Sequence, residues 1–333
     1  MYTGLSQPLT ISGPDTATGS VTDYSVTKYA YDRFGQLIEM TDPLTQKETY
    51  TYDLNGIQTA KTDRNGNVSA FSYDGLGRLI AKSVVTPDGK GNASYSYAYN
   101  KLGQLKTMAD GATSTSYVYD DLGRMVKETG SDGITKEYTY DAENNRKTLV
   151  IKNNGTTVKN ATYTYDKFNR LSQVSEDGQV QATYTYDANG NRASLTYPNG
   201  NTISYQYNLG NQLKALTNLK GSTTLSKYSY DYYLDGNQYK KTETVTGKVT
   251  TYTYDGLGRL KSEAETGTPA VSYTYDDANN RKTLTVANTS QTAYTYDRNN
   301  RLLTEVKQEG SSTSTTRYFM IITGIKLLPP RKP

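Results

Sequence analysis

The chain has 333 residues, a net charge of +4, 33 tyrosines, no histidine and no cysteine. It therefore lacks the commonest general base, imidazole and thiolate metal ligands, and all thiol or disulfide chemistry. Three of the four net charges are Lys326, Arg331 and Lys332, in a terminal stretch without acids, so the rest of the chain carries about +1 and offers no electrostatic case for nucleic acid.

Residues 1–23 read as a lead-in, a partial copy of a repeat unit. The opening MYTGLSQPLT has neither the basic region nor the apolar run of a secretory signal, and no stretch approaches the roughly 18 apolar residues of a membrane span. From residue 24 to 319 one pattern repeats: an aromatic, one residue, then Tyr followed by Asp or Asn. Its anchors are Tyr31-Asp32, Tyr52-Asp53, Tyr73-Asp74, Tyr99-Asn100, Tyr119-Asp120, Tyr140-Asp141, Tyr165-Asp166, Tyr186-Asp187, Tyr207-Asn208, Tyr230-Asp231, Tyr254-Asp255, Tyr275-Asp276 and Tyr296-Asp297. The steps between them are 20 to 26 residues, most of them 21. A fixed period of this size means one supersecondary unit stacked many times. Leu, Ile, Val and Phe are sparse, yet low net charge and strict spacing argue against disorder. Tyr suits a thin sheet because its ring packs while its hydroxyl stays hydrogen-bonded.

Residues 71–79, FSYDGLGRL, show what one unit is. Phe71 and Tyr73 alternate with small polar residues at period two, the mark of a strand with one aromatic face. Asp74 ends the strand as an Asx-turn former. Three residues after the anchor acid or amide comes a residue able to take positive φ at low cost. These are Gly35, Gly56, Gly77, Gly103, Gly123, Asn144, Asn169, Gly190, Asn211, Gly258, Asn279 and Asn300. A type I turn closed by a left-handed residue makes each unit a β-hairpin. Two kinds of unit alternate from Asp120 onward. One has Arg or Gln directly after the Gly or Asn; the other reads as carrying an inserted Asn before the Arg, as at Arg146, Arg192 and Arg281, with the loop after Asp231 counted among them.

The anchor acids have a sufficient reason to exist as turn formers, so no catalytic residue is expected. The oxygen-rich stretches 141–145 and 187–191 faintly resemble calcium loops, but no later bidentate acid is consistently placed. Neither metal nor cofactor is expected. The post-turn arginines Arg78, Arg124, Arg170, Arg259 and Arg301 are expected to pair with Asp of a neighbouring hairpin, and the Tyr rows to be structural ladders. The competing use of those rows is carbohydrate stacking.

Segments such as SVTKYAYDRFGQL, YVYDDLGRM, YTYDGLGRL and YTYDRNNRL make the chain resemble the YD-repeat, or Rhs-repeat, family, over about residues 24–319. The family includes bacterial Rhs and wall-associated polymorphic toxins, insecticidal toxin-complex subunits and the shell of teneurins. The resemblance implies an all-β fold of tandem hairpins curving into a spiral, shell-like sheet. In the family that shell encloses a C-terminal toxin domain. Nothing in this chain resembles the family's wall-binding module, self-cleaving core or variable toxin domain. The expectation is a non-enzymatic shell fragment, open at both ends, with about 26 strands forming a ribbon of about 125 Å at ~4.8 Å per strand. Its expected partners, in the parent protein, are that protein's own toxin domain and cell-wall glycans; the family setting is secreted or cell-surface. The alternative expectation is a carbohydrate-binding or wall-binding surface repeat protein.

After Phe319 the pattern stops and residues 320–333 turn apolar and basic. Restoring one T in a run at the Phe319 codon would make the next residues Tyr-Asp-Asn-Asn-Gly-Asn-Gln, a well-formed unit. Residues 320–333 are accordingly expected to be out-of-frame translation.

Overall fold

A computed structural model describes residues 7–15 and 20–318. The expected out-of-frame tail, 320–333, lies outside the described residues, as does part of the lead-in. The described residues contain 28 strands and no helix, and the strand pairings are antiparallel. The excess over the expected number comes from the ends, where Thr10–Asp15 and Ser312–Arg317 also form strands.

The chain divides into two compact units, Met1–Tyr95 with Thr251–Pro333, and Ser96–Thr250. In the first, Leu37–Thr41, Lys47–Tyr52, Gln58–Thr62, Val68–Tyr73 and Leu79–Val85 pair in chain order. A second meander in the same unit runs from Leu260–Glu265 through Val271–Tyr275, Arg281–Val286, Ser290–Tyr296 and Leu302–Glu309 to Ser312–Arg317. The other unit is a meander as well, including Ile134–Tyr140, Arg146–Asn153, Thr156–Tyr165, Leu171–Glu176 and Gln179–Tyr186.

Alternation of side chains across the sheet sets the packing. In Ala93–Tyr99 every second residue is exposed and the tyrosines lie on the half-buried face. Val84, Tyr138, Ala161, Ala182, Leu195 and Ala215 are the buried apolar residues among those described, and no large side chain is fully buried. Such a thin sheet gains little from deep burial, and its coherence must come from strand ladders and from the side-chain bonds that link one hairpin to the next.

Each anchor turn is built the same way. The Asp74 N–H donates to Arg78 O at 2.9 Å and the Gly77 N–H to Asp74 O at 2.9 Å. Tyr73 is opposite Leu79, and the register shifts just before it, the bulge expected of a type I turn closed by a left-handed residue. Gly35, Gly56, Gly77, Gly103, Gly123, Gly190 and Gly258 have φ between 74° and 88°. Gly75, two residues earlier in the same turn, has no such φ, and a Cβ there would meet nothing within 4 Å. Gly77→Val should therefore lower the thermal midpoint clearly more than Gly75→Val, since a β-branched side chain at φ near 75° is strained by about 1–3 kcal/mol. Indistinguishable melts of the two variants, or the reverse order, would contradict this turn geometry.

Candidate functional site

The chemistry-bearing residues of the repeat converge on the edge formed by the anchor turns. Asp74 Oδ1 accepts from the Leu76 and Arg78 N–H groups at 2.9 and 3.0 Å. Its other oxygen takes the Arg78 guanidinium at 2.7 Å from Nε and 2.6 Å from Nη2. In the same way Nε and Nη2 of Arg124, Arg170 and Arg259 converge on Oδ2 of Asp120, Asp166 and Asp255, while Arg301 Nε reaches Asp297 Oδ2 at 2.6 Å. The Arg hydrogen bond holds the Asp74 and Asp166 carboxyls below the usual carboxylate range. The arginines thus pair with the acid of their own turn, not with one in a neighbouring hairpin. A residue four positions after the Asp, across a bulged turn, is simply the nearest donor.

What the long side chains do reach in the next hairpin is different. Arg124 Nη1 donates to Asn144 Oδ1, and Arg259 Nη1 to Asn279 Oδ1, both at 2.7 Å. The Arg124, Arg170 and Arg259 guanidiniums lie 4.7, 4.4 and 4.3 Å from the ring centroids of Tyr140, Tyr186 and Tyr275, the next anchor tyrosines along the chain. In the alternate turns Asn takes the Arg place: Asn145, Asn191 and Asn280 each donate to their own Asp and onward to Asn169, Asn211 and Asn300. The fourth residue of a turn, counting the Asp as the first, therefore both adopts positive φ and, when it is Asn, accepts from the preceding turn. Glycine can do only the first, which gives Asn a reason to occur there.

This geometry corrects the reading of the second kind of unit as an insertion. Tyr140 is opposite Arg146 just as Tyr73 is opposite Leu79, so the turns have one length and differ only in the residue that closes them. It also corrects the anchor placed at Tyr230-Asp231. Asp231 sits inside the strand Thr223–Tyr232 opposite Lys240, and the turn begins two residues later, with the Gly236 N–H donating to Tyr233 O at 3.0 Å. Positive φ at Gly236 dictates where the bulge falls, and no residue three after Asp231 can take that role. At the far ends of the hairpins, Asp42 and Asp63 form turns with the same backbone bonds, outside the anchor pattern because no Tyr precedes them. The tripeptide Asp63-Arg64-Asn65 was the available signal.

Anchor tyrosines tie the hairpins together. The hydroxyls of Tyr31, Tyr52, Tyr73, Tyr119, Tyr140, Tyr165, Tyr186, Tyr207, Tyr275 and Tyr296 donate to Pro8, Leu37, Gln58, Leu105, Met125, Arg146, Leu171, Arg192, Leu260 and Arg281 carbonyls at 2.7–3.1 Å. From Tyr52 on, each acceptor is the first strand residue after the preceding anchor turn. Tyr232, not Tyr230, makes this bond in its hairpin, to Leu213 O at 2.7 Å.

A denser charge cluster lies in the first unit. Buried Asp42 and Glu48 hold Arg64, with Nη1 2.9 Å from Asp42 Oδ2 and Nε 3.2 Å from Glu48 Oε1, an ion-pair distance without hydrogen-bond alignment. Lys61 Nζ is 2.7 Å from Glu48 Oε2, to which Tyr50 also donates at 2.8 Å. Burial opposes ionisation of Glu48, but the Lys61 and Tyr50 bonds and the Arg64 charge outweigh it and hold the carboxyl below its ordinary value. Every acid in this cluster is paired. Among the described residues no group of three or more acids is arranged to hold a metal, and no helix is long and apolar enough to cross a membrane.

Tyr186→Phe tests the hydroxyl link, since it removes the bond to Leu171 O and leaves a half-buried carbonyl without that donor. A loss of about 1 kcal/mol, read as a lower denaturant midpoint at unchanged slope, is expected. An unchanged midpoint would show that the bond contributes nothing.

The Teneurin YD-shell family matches residues 18–151 and 134–319. The chain is 30% identical over 239 residues to the tRNA nuclease WapA of Bacillus subtilis (strain 168), a match covering 69% of this chain and 9% of that protein. It is 24% identical over 133 residues to the double-stranded DNA deaminase toxin A of Burkholderia cenocepacia (strain H111), covering 34% of this chain and 9% of the toxin. The chain thus spans about a tenth of the curated relatives it matches. Among solved structures, TcdB2-TccC3 superposes with a TM-score of 0.59 at 18% identity, and the Photorhabdus luminescens Tc holotoxin pore with 0.58 at 18%; each covers 89% of this chain and 18% of the other. At that identity the superposition speaks for the fold alone. With the family match running through nearly the whole repeat array, the chain belongs to the teneurin YD-shell family.

Proposed function

We propose that this chain is a non-enzymatic wall segment of a YD shell, whose parent protein encloses or presents a toxin domain at the bacterial surface. The observation that carries this reading is that the repeat consumes its own chemistry. The Asp oxygens are filled by turn N–H groups and by Arg or Asn, and the Tyr hydroxyls by carbonyls of the preceding hairpin. A carboxylate so engaged is a poor nucleophile or base, because its lone pairs are already committed. The names of two relatives, one a toxin and the other a tRNA nuclease, support a toxin-bearing parent.

A second reading, carbohydrate binding, is favoured by one feature. Tyr233 replaces the usual turn acid and is 45% exposed, beside Tyr239 at 37%, with ring centroids 5.1 Å apart. Such a pair offers apolar faces to a sugar ring.

One preparation of the full chain tests both. Incubated with tRNA and with double-stranded DNA, with and without divalent metal, it should give neither cleavage nor deamination, and a glycan array should stay blank. Turnover abolished by Asp120→Asn would overturn the wall reading. Glycan binding lost in Tyr233→Asp, a change that restores the repeat, would establish the second reading.

A further inference from the structure

Two turns far apart in sequence exchange hydrogen bonds in the first unit, and they share a tripeptide that occurs nowhere else in the chain. Asp63-Arg64-Asn65 and Asp297-Arg298-Asn299 are the two copies of Asp-Arg-Asn. Asn65 Nδ2 donates to Asp297 Oδ2 at 2.9 Å, and Asn299 Nδ2 donates to Asp63 Oδ2 at 2.8 Å. The Arg64 N–H completes the contact by donating to Asn299 Oδ1 at 3.1 Å, across 235 residues of sequence. One turn closes the far end of a hairpin and the other is an anchor turn, so opposite kinds of hairpin end meet here.

We propose that these two turns form a releasable latch: a reciprocal Asp–Asn lock that selects which anchor turn lies against which far-end turn, and that opens without disturbing either hairpin. The division of labour between carboxylate oxygens is the reason. Asp63 Oδ1 accepts from the Asn65 and Asn67 N–H groups, and Asp297 Oδ1 from those of Asn299 and Arg301. Those bonds shape each turn and belong to it alone. Only the Oδ2 atoms face the partner turn, and each also keeps a local donor, Asn67 Nδ2 at 2.7 Å and Arg301 Nε at 2.6 Å. When the latch opens, both acids keep their own turn bonds and the released amides find water. Release therefore leaves no carboxylate stranded, the condition for a low-cost local opening.

The far-end side of the latch is held firmly. The Arg64 side chain is pinned between Asp42 and Glu48, so its backbone N–H is presented to Asn299 from a fixed position. The lock is selective as well as reciprocal. An anchor turn with a side chain that cannot donate at this place, such as Leu76 or Leu122, satisfies neither Asp63 Oδ2 nor the Arg64 N–H. The Asp and Asn of each turn carry the match, and the Arg64 backbone N–H adds a third bond.

The test uses the full chain and native-state hydrogen exchange resolved to single amides. Asn299→Ala removes both the acceptor of the Arg64 N–H and the donor to Asp63. Exchange at Arg64 should speed up about tenfold, the change expected for one hydrogen bond of ordinary net strength, while the amides of Val68–Tyr73 and Ser290–Tyr296 keep their wild-type rates. Unchanged exchange at Arg64 would overturn the proposal. So would acceleration of the ladder amides in step with Arg64, since the contact would then not be separable from the strands.

Discussion

The hydrogen bond that tyrosines such as Tyr52, Tyr140, Tyr186, Tyr232 and Tyr275 make to a carbonyl of the preceding hairpin is the constraint on which the rest depends. Antiparallel ladders alone would leave successive hairpins free to twist, because so few side chains are buried that burial does little to hold them. The phenol spans the strand between two turns and ends on the first strand residue after the earlier turn, as Tyr52 does at Leu37 and Tyr186 at Leu171. The ring fills the half-buried face and the hydroxyl fixes the spacing. Stability is then a sum over neighbours, as in other repeat proteins, and the chain can be long without a deep core.

Turn chemistry depends in turn on that spacing. With successive turns held side by side, the residue closing one turn lies within reach of position four in the next. Arg124 to Asn144, Asn145 to Asn169 and Asn280 to Asn300 are instances of this handover. Alternation of Arg and Asn has a steric logic. A guanidinium covers the next tyrosine ring as well as reaching the next turn, and the shorter Asn reaches the turn only. Where the pattern breaks, at Tyr233, the turn acid is lost. Asp235 then supplies a substitute bond to the Asn237 N–H at 2.9 Å.

Much of this was legible in the residues. The period gave the hairpin, and the restriction to Gly or Asn three residues after the anchor located the left-handed residue, because few side chains tolerate that φ. What could not be read were distances. Whether Arg78 would find the acid of its own turn or a neighbouring one depends on how a bulge bends the strand, and spacing in sequence does not encode that. Asp231 reads as an anchor because aromatic–x–Tyr–Asp matches the motif, while the Gly that sets the bulge lies two residues too late. The turns at Asp42 and Asp63 carry no Tyr and so stay outside the pattern, and the meeting of Asp63 with Asn299 joins hairpins far apart in sequence, which no single repeat encodes.

The central claim is that tyrosine hydroxyls are structural donors withheld from water. Burial raises the pKa of Tyr52, Tyr119, Tyr165, Tyr207, Tyr232, Tyr275 and Tyr296, and burial with the Glu263 bond pushes Tyr273 up to about 12. The most direct measurement is an ultraviolet titration of tyrosinate in the native chain, with circular dichroism recorded in parallel. The account predicts that the tyrosines raised by burial stay protonated above pH 10, the ordinary phenol value being about 10, and ionise only as the β signal is lost. A single transition near 10, complete while the β signal is intact, would contradict it.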